Sequence, residues 1–368
     1  MVAIGAFQSI RPRYLVDQGA SLDWVASVHQ MAEKTRSGNC ASEVPERLNQ
    51  LVELRRKIAT RGIQLSDLFE EDSSKRSIYS VAENPQGAPL KKRLELFDQE
   101  ISALFAQFYL EIDKPPAHLI HVTCTGYVAP SPAQKWVSFK EWGAHTTVTH
   151  AYHMGCYASI PALRMGKGFL ISGSSVDIVH TEFCSLHMHP LKHDLEQLVV
   201  QGLFADGFIK YSLFEEGAQI PHFAIKALRE EIIPGSTDQM TWICEEYGFG
   251  MTLSKEVPLS IARHLKSYLV RLKGDAGLFD EKDVFYAIHP GGPKILESIE
   301  RLLQLSHFQI QHSMEVLCHC GNMSSATLPH IWELMLRDET IPHGAHVISL
   351  AFGPGLCIAG SVFVKVSQ

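Results

Sequence analysis

The feature that most restricts this 368-residue chain is a strand–turn–helix order that occurs twice. HLIHVTCTG (118–126) reads as a buried strand, bounded by Pro115–Pro116 and Gly126. AYHMGCYASIPALRMGKGFL is then a turn followed by a helix, and VDIVHTEF is a second buried strand. Later in the chain, 259–273 is helical, DVFYAIHPGG is a strand ending in a Gly-rich turn, and PKILESIERLLQL is a helix opened by proline. HVISLAFGPGLCIAGSVFVKV closes the chain as strand, tight turn and strand. Helical spacing of apolar residues also marks 21–61 and 94–113. Strands alternating with helices predict α/β layers. Two similar halves predict a duplicated fold, divided into 1–218 and 219–368 within EEGAQIP (215–221).

The formal net charge of −7 argues against nucleic acid or an anionic membrane as the main partner. No apolar run is long enough to span a bilayer, and the N-terminus lacks a secretory pattern. A cytoplasmic protein is therefore expected, with its eight cysteines as thiols rather than disulfides.

One thiol stands apart. Cys156, in GCYA, sits just before a helical run, where the helix dipole favours the thiolate. Alone, it would read as a small buried residue. His289, in HPGGP, lies where a buried strand breaks into a turn, a position that often carries catalytic groups but also suits a turn cap. Asn322, in GNMSSA, can supply a hydrogen bond to a developing oxyanion, or cap a helix. His180, His187, His189 and His193, with Cys318-His319-Cys320 later, are residue types that bind zinc. Cys-X-Cys suits a strand better than a metal knuckle, and HMHPLKHD suits a solvated loop, so no metal is expected.

Taken together, GCYAS (155–159), LFADG (203–207), SKEVP (254–258), HPGGPKIL (289–296), GNMSSA (321–326) and FGPGL (352–356) resemble the type III polyketide synthases, the chalcone-synthase-like branch of the thiolase superfamily. The resemblance covers nearly the whole chain. It implies a homodimer of duplicated, five-layered αβαβα subunits. Cys156 would accept the acyl chain, while His289 would hold its thiolate as an ion pair and, with Asn322, polarise the thioester carbonyl. No cofactor is expected. Gly353 and Pro354 would belong to a rigid loop shaping the cavity.

The sequence also departs from chalcone synthases. Ungapped counting places their two gatekeeper phenylalanines at His187 and Met251, and a cavity threonine at Cys124, while a cavity serine persists as Ser324. Their three phosphate-binding basic residues fall on Leu48, Leu51 and Arg55, so that Arg55, Arg56, Lys57 and Arg61 are the remaining contacts for a carrier phosphate. CTGYVAPSPAQ (124–134) and HAYHMGCYAS (150–159) further resemble stand-alone ketosynthases that join two acyl chains into an α-pyrone antibiotic, as in myxopyronin and corallopyronin assembly. That reaction would need two acyl channels meeting at Cys156, with room supplied by small residues such as Ala158, Ser159 and Ala162.

The expected function is therefore a ketosynthase that condenses two β-ketoacyl chains, borne on acyl carrier protein or coenzyme A, into an α-pyrone. The alternatives are iterative extension of an acyl-coenzyme A starter with malonyl units, a hydrolase using Cys156 and His289, and a non-catalytic thiolase-fold acyl-binding protein.

Overall fold

The computed structural model describes residues 2–170, 174–217, 219–279 and 283–367. Ala218, at the expected division between halves, lies outside the described residues, as do 171–173 and 280–282. The strands are β1 (Val2–Ile10), β2 (Tyr14–Asp17), β3 (Thr60–Ile63), β4 (His118–Thr123), β5 (Thr147–Tyr152), β6 (Val176–Glu182), β7 (Gly207–Glu215), β8 (His222–Ile232), β9 (Met240–Glu245), β10 (Gly248–Leu253), β11 (Val284–Ile288), β12 (His346–Gly353) and β13 (Cys357–Val366). The helices are α1 (Gln18–Ser37), α2 (Glu43–Gln50), α3 (Val52–Lys57), α4 (Leu90–Tyr109), α5 (Pro132–Phe139), α6 (Ser159–Phe169), α7 (Leu195–Leu203), α8 (Val257–Ala276), α9 (Pro293–Leu303), α10 (His307–Cys320) and α11 (Thr327–Arg337).

Nine strands form one mixed sheet in the order β11-β12-β13-β8-β1-β7-β6-β4-β5. Read inward from each edge, the same pairing recurs. β4–β6 is parallel, and β6–β7 and β7–β1 are antiparallel. At the other end β11–β12 is parallel, and β12–β13 and β13–β8 are antiparallel. The two half-sheets join where β1 meets β8 through Ala3–Gly5 and His222–Ala224.

Between the half-sheets lie α6 and α11. Their apolar residues, from Ile160 and Leu163 to Ile331 and Trp332, form the central core with strand residues of both halves. α4 and α5 cover one outer face together with α1, and α8, α9 and α10 cover the other. This is the thiolase-like α/β layering that the sequence predicts.

Local sequence explains the helix ends nearest the site. Pro293 occupies the first turn of α9. Ser306 and Gln309 form a reciprocal capping box at the start of α10. Three expectations are corrected. The 21–61 segment is three helices followed by β3, not one helical block, and the helix expected at 94–113 runs from Leu90 to Tyr109. Cys318-His319-Cys320 is the last turn of α10 rather than a strand, because Ile310, Val316 and Leu317 are buried at helical spacing just before it. The histidine-rich segment is not solvated. His187 and His189 are buried, and both hydrogen-bond to backbone. No group of histidines, cysteines and carboxylates suited to a metal ion occurs among the described residues. No helix there is long and apolar enough to cross a membrane.

Burial also sets the pH response. Desolvation lowers His29 to about 4, and His121, His187 and His289 to about 3. Between about pH 6.5 and 4, the unfolded chain therefore binds more protons at these sites, and their contribution to stability is lost as pH falls. Asp206 acts oppositely. Burial raises it to about 6, so its contribution is present at low pH and is lost as pH rises through that value. Asp177, Glu182 and Glu230 are raised as well, but His150, His180, His189, His312, His330 and His346 are also lowered, so the histidines outnumber the carboxyls. The midpoint of urea unfolding should fall steadily between pH 6.5 and 4.5, and titrations at graded pH would read this directly.

Candidate active site

Cys156 lies in a 3₁₀ turn, Gly155–Tyr157, between the end of β5 and the start of α6. The turn packs directly against the loop after β12. A Cβ on Gly155, which has φ +76°, would lie 2.5 Å from Pro354 Cδ, and one on Gly353 would lie 2.3 Å from Tyr157 Cδ1. Only glycine permits both approaches. Gly353 and Pro354 thus brace the nucleophile's turn.

His289 follows β11, and its backbone N–H donates to Leu350 O at 2.7 Å, extending the pairing with β12. The ring is fully buried, and neither nitrogen has a partner among the described residues. Asn322 follows α10. Its Oδ1 accepts from Ser324 N–H at 2.9 Å, which fixes the amide plane. Its backbone is pinned to the segment after α7, with Asn322 N donating to Leu203 O (3.1 Å) and Ala205 N donating to Asn322 O (2.8 Å).

The electrostatics correct one expectation. The sequence suggests a standing thiolate–imidazolium pair, yet both groups are desolvated. Burial pushes the Cys156 thiol up to about 12; Ser324 and Asn322 hydrogen bonds offset this only in part, and Glu182 adds to it. Burial lowers His289 to about 3. Both shifts favour the neutral thiol and the neutral imidazole.

Beneath the thiol lies a polar network that sequence reasoning missed. The Cys156 thiol points at Ser324 Oγ, 3.7 Å away, and Ser324 Oγ contacts Cys124 Sγ at 2.9 Å. Cys124 Sγ lies 3.4 Å from both oxygens of Glu182. The buried Glu182 carboxylate also accepts from Cys124 N and Thr125 Oγ1, each at 3.0 Å, and from Ser325 Oγ. Desolvation holds this carboxyl above its ordinary range. A glutamate ending the otherwise apolar VDIVHTE strand was the available signal.

Two cavities meet at Cys156. The outer one, about 730 Å³, also borders His289 and Asn322. The inner one, about 80 Å³, runs beneath α1 and α7 between Val25, Ile63, Leu65, Leu68 and Val200, and is bordered by Cys124, Ser324 and Pro354. Cys156, Phe204 and Met251 border both. Met251 borders both cavities, His187 borders the inner cavity alone, and the phenylalanine that borders both is Phe204. The ungapped count passed over Phe204 although it lies within LFADG. His187 is a wall. It stacks on Phe249 with ring centroids 4.3 Å apart and 4° between planes. Its Nε2 faces Thr125 O at 2.7 Å and its Nδ1 accepts from Phe249 N–H at 3.2 Å, which fixes the neutral Nε2–H tautomer. Ala158, Ser159 and Ala162 border neither cavity and serve helix packing.

The expected phosphate contacts are largely spent. Arg55 pairs with Asp23 (3.4 Å), Arg56 with Glu53 (2.8 Å) and Lys57 with Glu297 (3.1 Å). Arg61 is 3% exposed and borders the inner cavity, so it cannot meet a surface phosphate. The cations bordering the outer cavity are Lys255 and Lys294, neither of which was singled out from sequence.

Residues 224–367 match the family model described as chalcone and stilbene synthases, C-terminal domain. The chain is 27% identical over 297 residues to type III polyketide synthase A of Arabidopsis thaliana, covering 75% of this chain and 74% of that protein. The chain is thus similar to chalcone-synthase-like type III polyketide synthases. The class that goes with this similarity is an acyl-transferring ketosynthase. A second relative is probable polyketide synthase 1 of Dictyostelium discoideum, 28% identical over 261 residues. That match covers 68% of this chain but only 8% of the Dictyostelium protein. The fold matches the C-terminal type III domain of Steely1, a type I/III hybrid from Dictyostelium, with a TM-score of 0.83 and 22% identity over 99% of both chains. It also matches 1,3,6,8-tetrahydroxynaphthalene synthase from Streptomyces coelicolor, with a TM-score of 0.80 and 21% identity over 100% of both chains.

Cys156→Ala should abolish acyl loading, read as loss of the acyl mass increment on incubation with acyl thioesters. Asn322→Ala should fold and load but condense about 10²–10³-fold more slowly, the usual effect of removing one oxyanion donor. Intact mass and product formation would check each.

Proposed function

We propose that this type III enzyme joins two β-ketoacyl thioesters into an α-pyrone. The observation that carries the reading is the meeting of two cavities at Cys156, the inner one walled largely by apolar side chains. An acyl chain on Cys156 lies in the inner cavity, and the second thioester arrives through the outer one.

In the first step Cys156 attacks the thioester carbonyl of one chain, and the carrier thiol leaves with a proton. The methylene of the second chain lies between two carbonyls and is already acidic, so no decarboxylation is needed. His289 takes its proton as the carbanion forms. With the imidazole held near 3 in the empty site, this transfer occurs only where the new imidazolium and the enolate face one another. The carbanion attacks the Cys156 thioester, forming the carbon–carbon bond and expelling the Cys156 sulfur, which regains a proton. Asn322 donates to the oxyanion in each attack. The enol oxygen of the first chain then closes on the second thioester carbonyl and releases the second carrier thiol.

Both carriers present a phosphopantetheine arm. Lys255 and Lys294 border the outer cavity beside Glu196, whose Oε1 is occupied by Leu253 N–H at 2.7 Å. These lysines are placed to meet the arm's phosphate in place of the paired Arg55, Arg56 and Lys57. Assembly as a homodimer belongs to the same proposal.

The second reading, iterative extension with malonyl units, is favoured by the type III relatives. It must release one CO₂ for each bond formed. Two β-ketoacyl thioesters supplied without malonyl donor, on carrier protein and separately on coenzyme A, should give a pyrone containing both chains and no CO₂. Strict dependence on malonyl thioester with stoichiometric CO₂ would establish iterative extension instead. Lys294→Glu should raise KM for the donor about tenfold while leaving kcat within about twofold, as a lost charge at a tunnel mouth does.

A further inference from the structure

Arg61 was expected at the surface and is found at the core, with no carboxylate in contact among the described residues. Its Nη1 donates to two backbone carbonyls at the C-terminal end of α7, Gln201 O at 2.7 Å and Phe204 O at 2.6 Å. Its Nη2 donates to Ser21 Oγ on α1. A guanidinium suits this place, because its planar fork reaches three acceptors and its charge faces the negative end of the helix dipole. Asp206 lies near enough to favour that charge, but its own oxygens are taken by Gln64 N (2.6 Å), Ser185 N (2.8 Å) and Ser185 Oγ (2.7 Å).

The two clamped carbonyls bracket Leu203. Leu203 O accepts Asn322 N–H, and Ala205 N–H, one residue after Phe204, donates to Asn322 O. The backbone of Asn322 thus hangs on the segment whose carbonyls Arg61 grips. The arginine stem touches the other side of the same strand pair. A Cβ at Gly321 would lie 3.0 Å from Arg61 Cγ, 3.1 Å from Ala205 Cβ and 3.2 Å from Leu203 O, and Gly321 has φ +76°. No side chain intervenes between the guanidinium arm and the residue before Asn322.

The geometry assigns Arg61 as a positioning residue that sets the place of the Asn322 amide through the end of α7. It touches no reacting atom. The inference rests on the role given to Asn322 in the proposed function. A displacement of about 1 Å in an oriented group can cost on the order of 100-fold in rate, and a lysine at 61 cannot reach all three acceptors.

A double-mutant cycle tests it, with Arg61→Lys, Asn322→Ala and the pair compared in steady-state condensation. Arg61→Lys should lower kcat about tenfold with KM within about twofold. On the Asn322→Ala background the same change should cost less than about twofold, because the group it positions is gone. Ser21→Ala, which removes one acceptor and keeps the charge, should show a smaller loss of the same kind. Should Arg61→Lys prove unstable by thermal melting, Ser21→Ala carries the cycle alone. Equal losses from the Arg61 or Ser21 change on both backgrounds, or no loss in the wild type, would overturn the inference. A normal rate for Asn322→Ala alone would instead remove the role of Asn322, which is a separate failure.

Discussion

The active site exists only because two half-sheets are held in one register. Cys156 belongs to the end of β5, while His289 and Asn322 belong to the end of β11 and the turn after α10. The halves are tied by the short β1–β8 pairing, by α6 and α11 packed between the sheets, and by the Phe204–Asn322 bridge. Of these, the bridge lies nearest the chemistry. It is a pair of backbone hydrogen bonds, buried and therefore costly to leave unmade. Its own footing is a buried arginine.

That arrangement recurs on the opposite wall of the inner cavity. Arg93 is fully buried and has no carboxylate in contact among the described residues. It donates to Ala88 O (2.8 Å), Gln86 O (3.1 Å), Met188 O (3.1 Å) and Leu186 O, and so holds the loop that carries His187. Tyr79 shares the task, donating to Ser185 O at 2.7 Å and accepting from Met188 N at 2.9 Å. Carbonyls are good partners for a guanidinium because each bond is charge-assisted while no second charge has to be desolvated. Both segments are thereby fixed by buried guanidiniums bonded to main-chain carbonyls.

Strand and helix alternation, the order of the motifs and the three candidate residues Cys156, His289 and Asn322 could be read from sequence because each leaves a local mark. Periodic apolar runs, glycine-bounded turns and short motifs are features of neighbouring residues. What could not be read depends on partners far apart in the chain. Arg61 looks like a surface cation beside Arg55–Lys57, and only the packing of β3 under α7 buries it. His187 and His189 sit in a polar-looking run, yet Phe249 and its neighbours from β10 close over them. Phe204 lay within a recognised segment, but its position at the junction of two cavities is a property of the folded chain. The thiolate–imidazolium expectation failed for a related reason, since residue identity carries no information on desolvation.

The pinned ring of His187 has a consequence for what passes along that wall. Chains bearing several carbonyl groups are prone to stray aldol closures, which need only a wandering proton donor or base. A histidine with a free nitrogen would supply one. Here both nitrogens are committed to the backbone, and a flat neutral face is all that is presented. The wall is passivated, in the sense a chemist gives to treated glass. In the proposed reaction, which ring forms is then left to the substrate's own enol and to the distance over which the cavity lets it fold back.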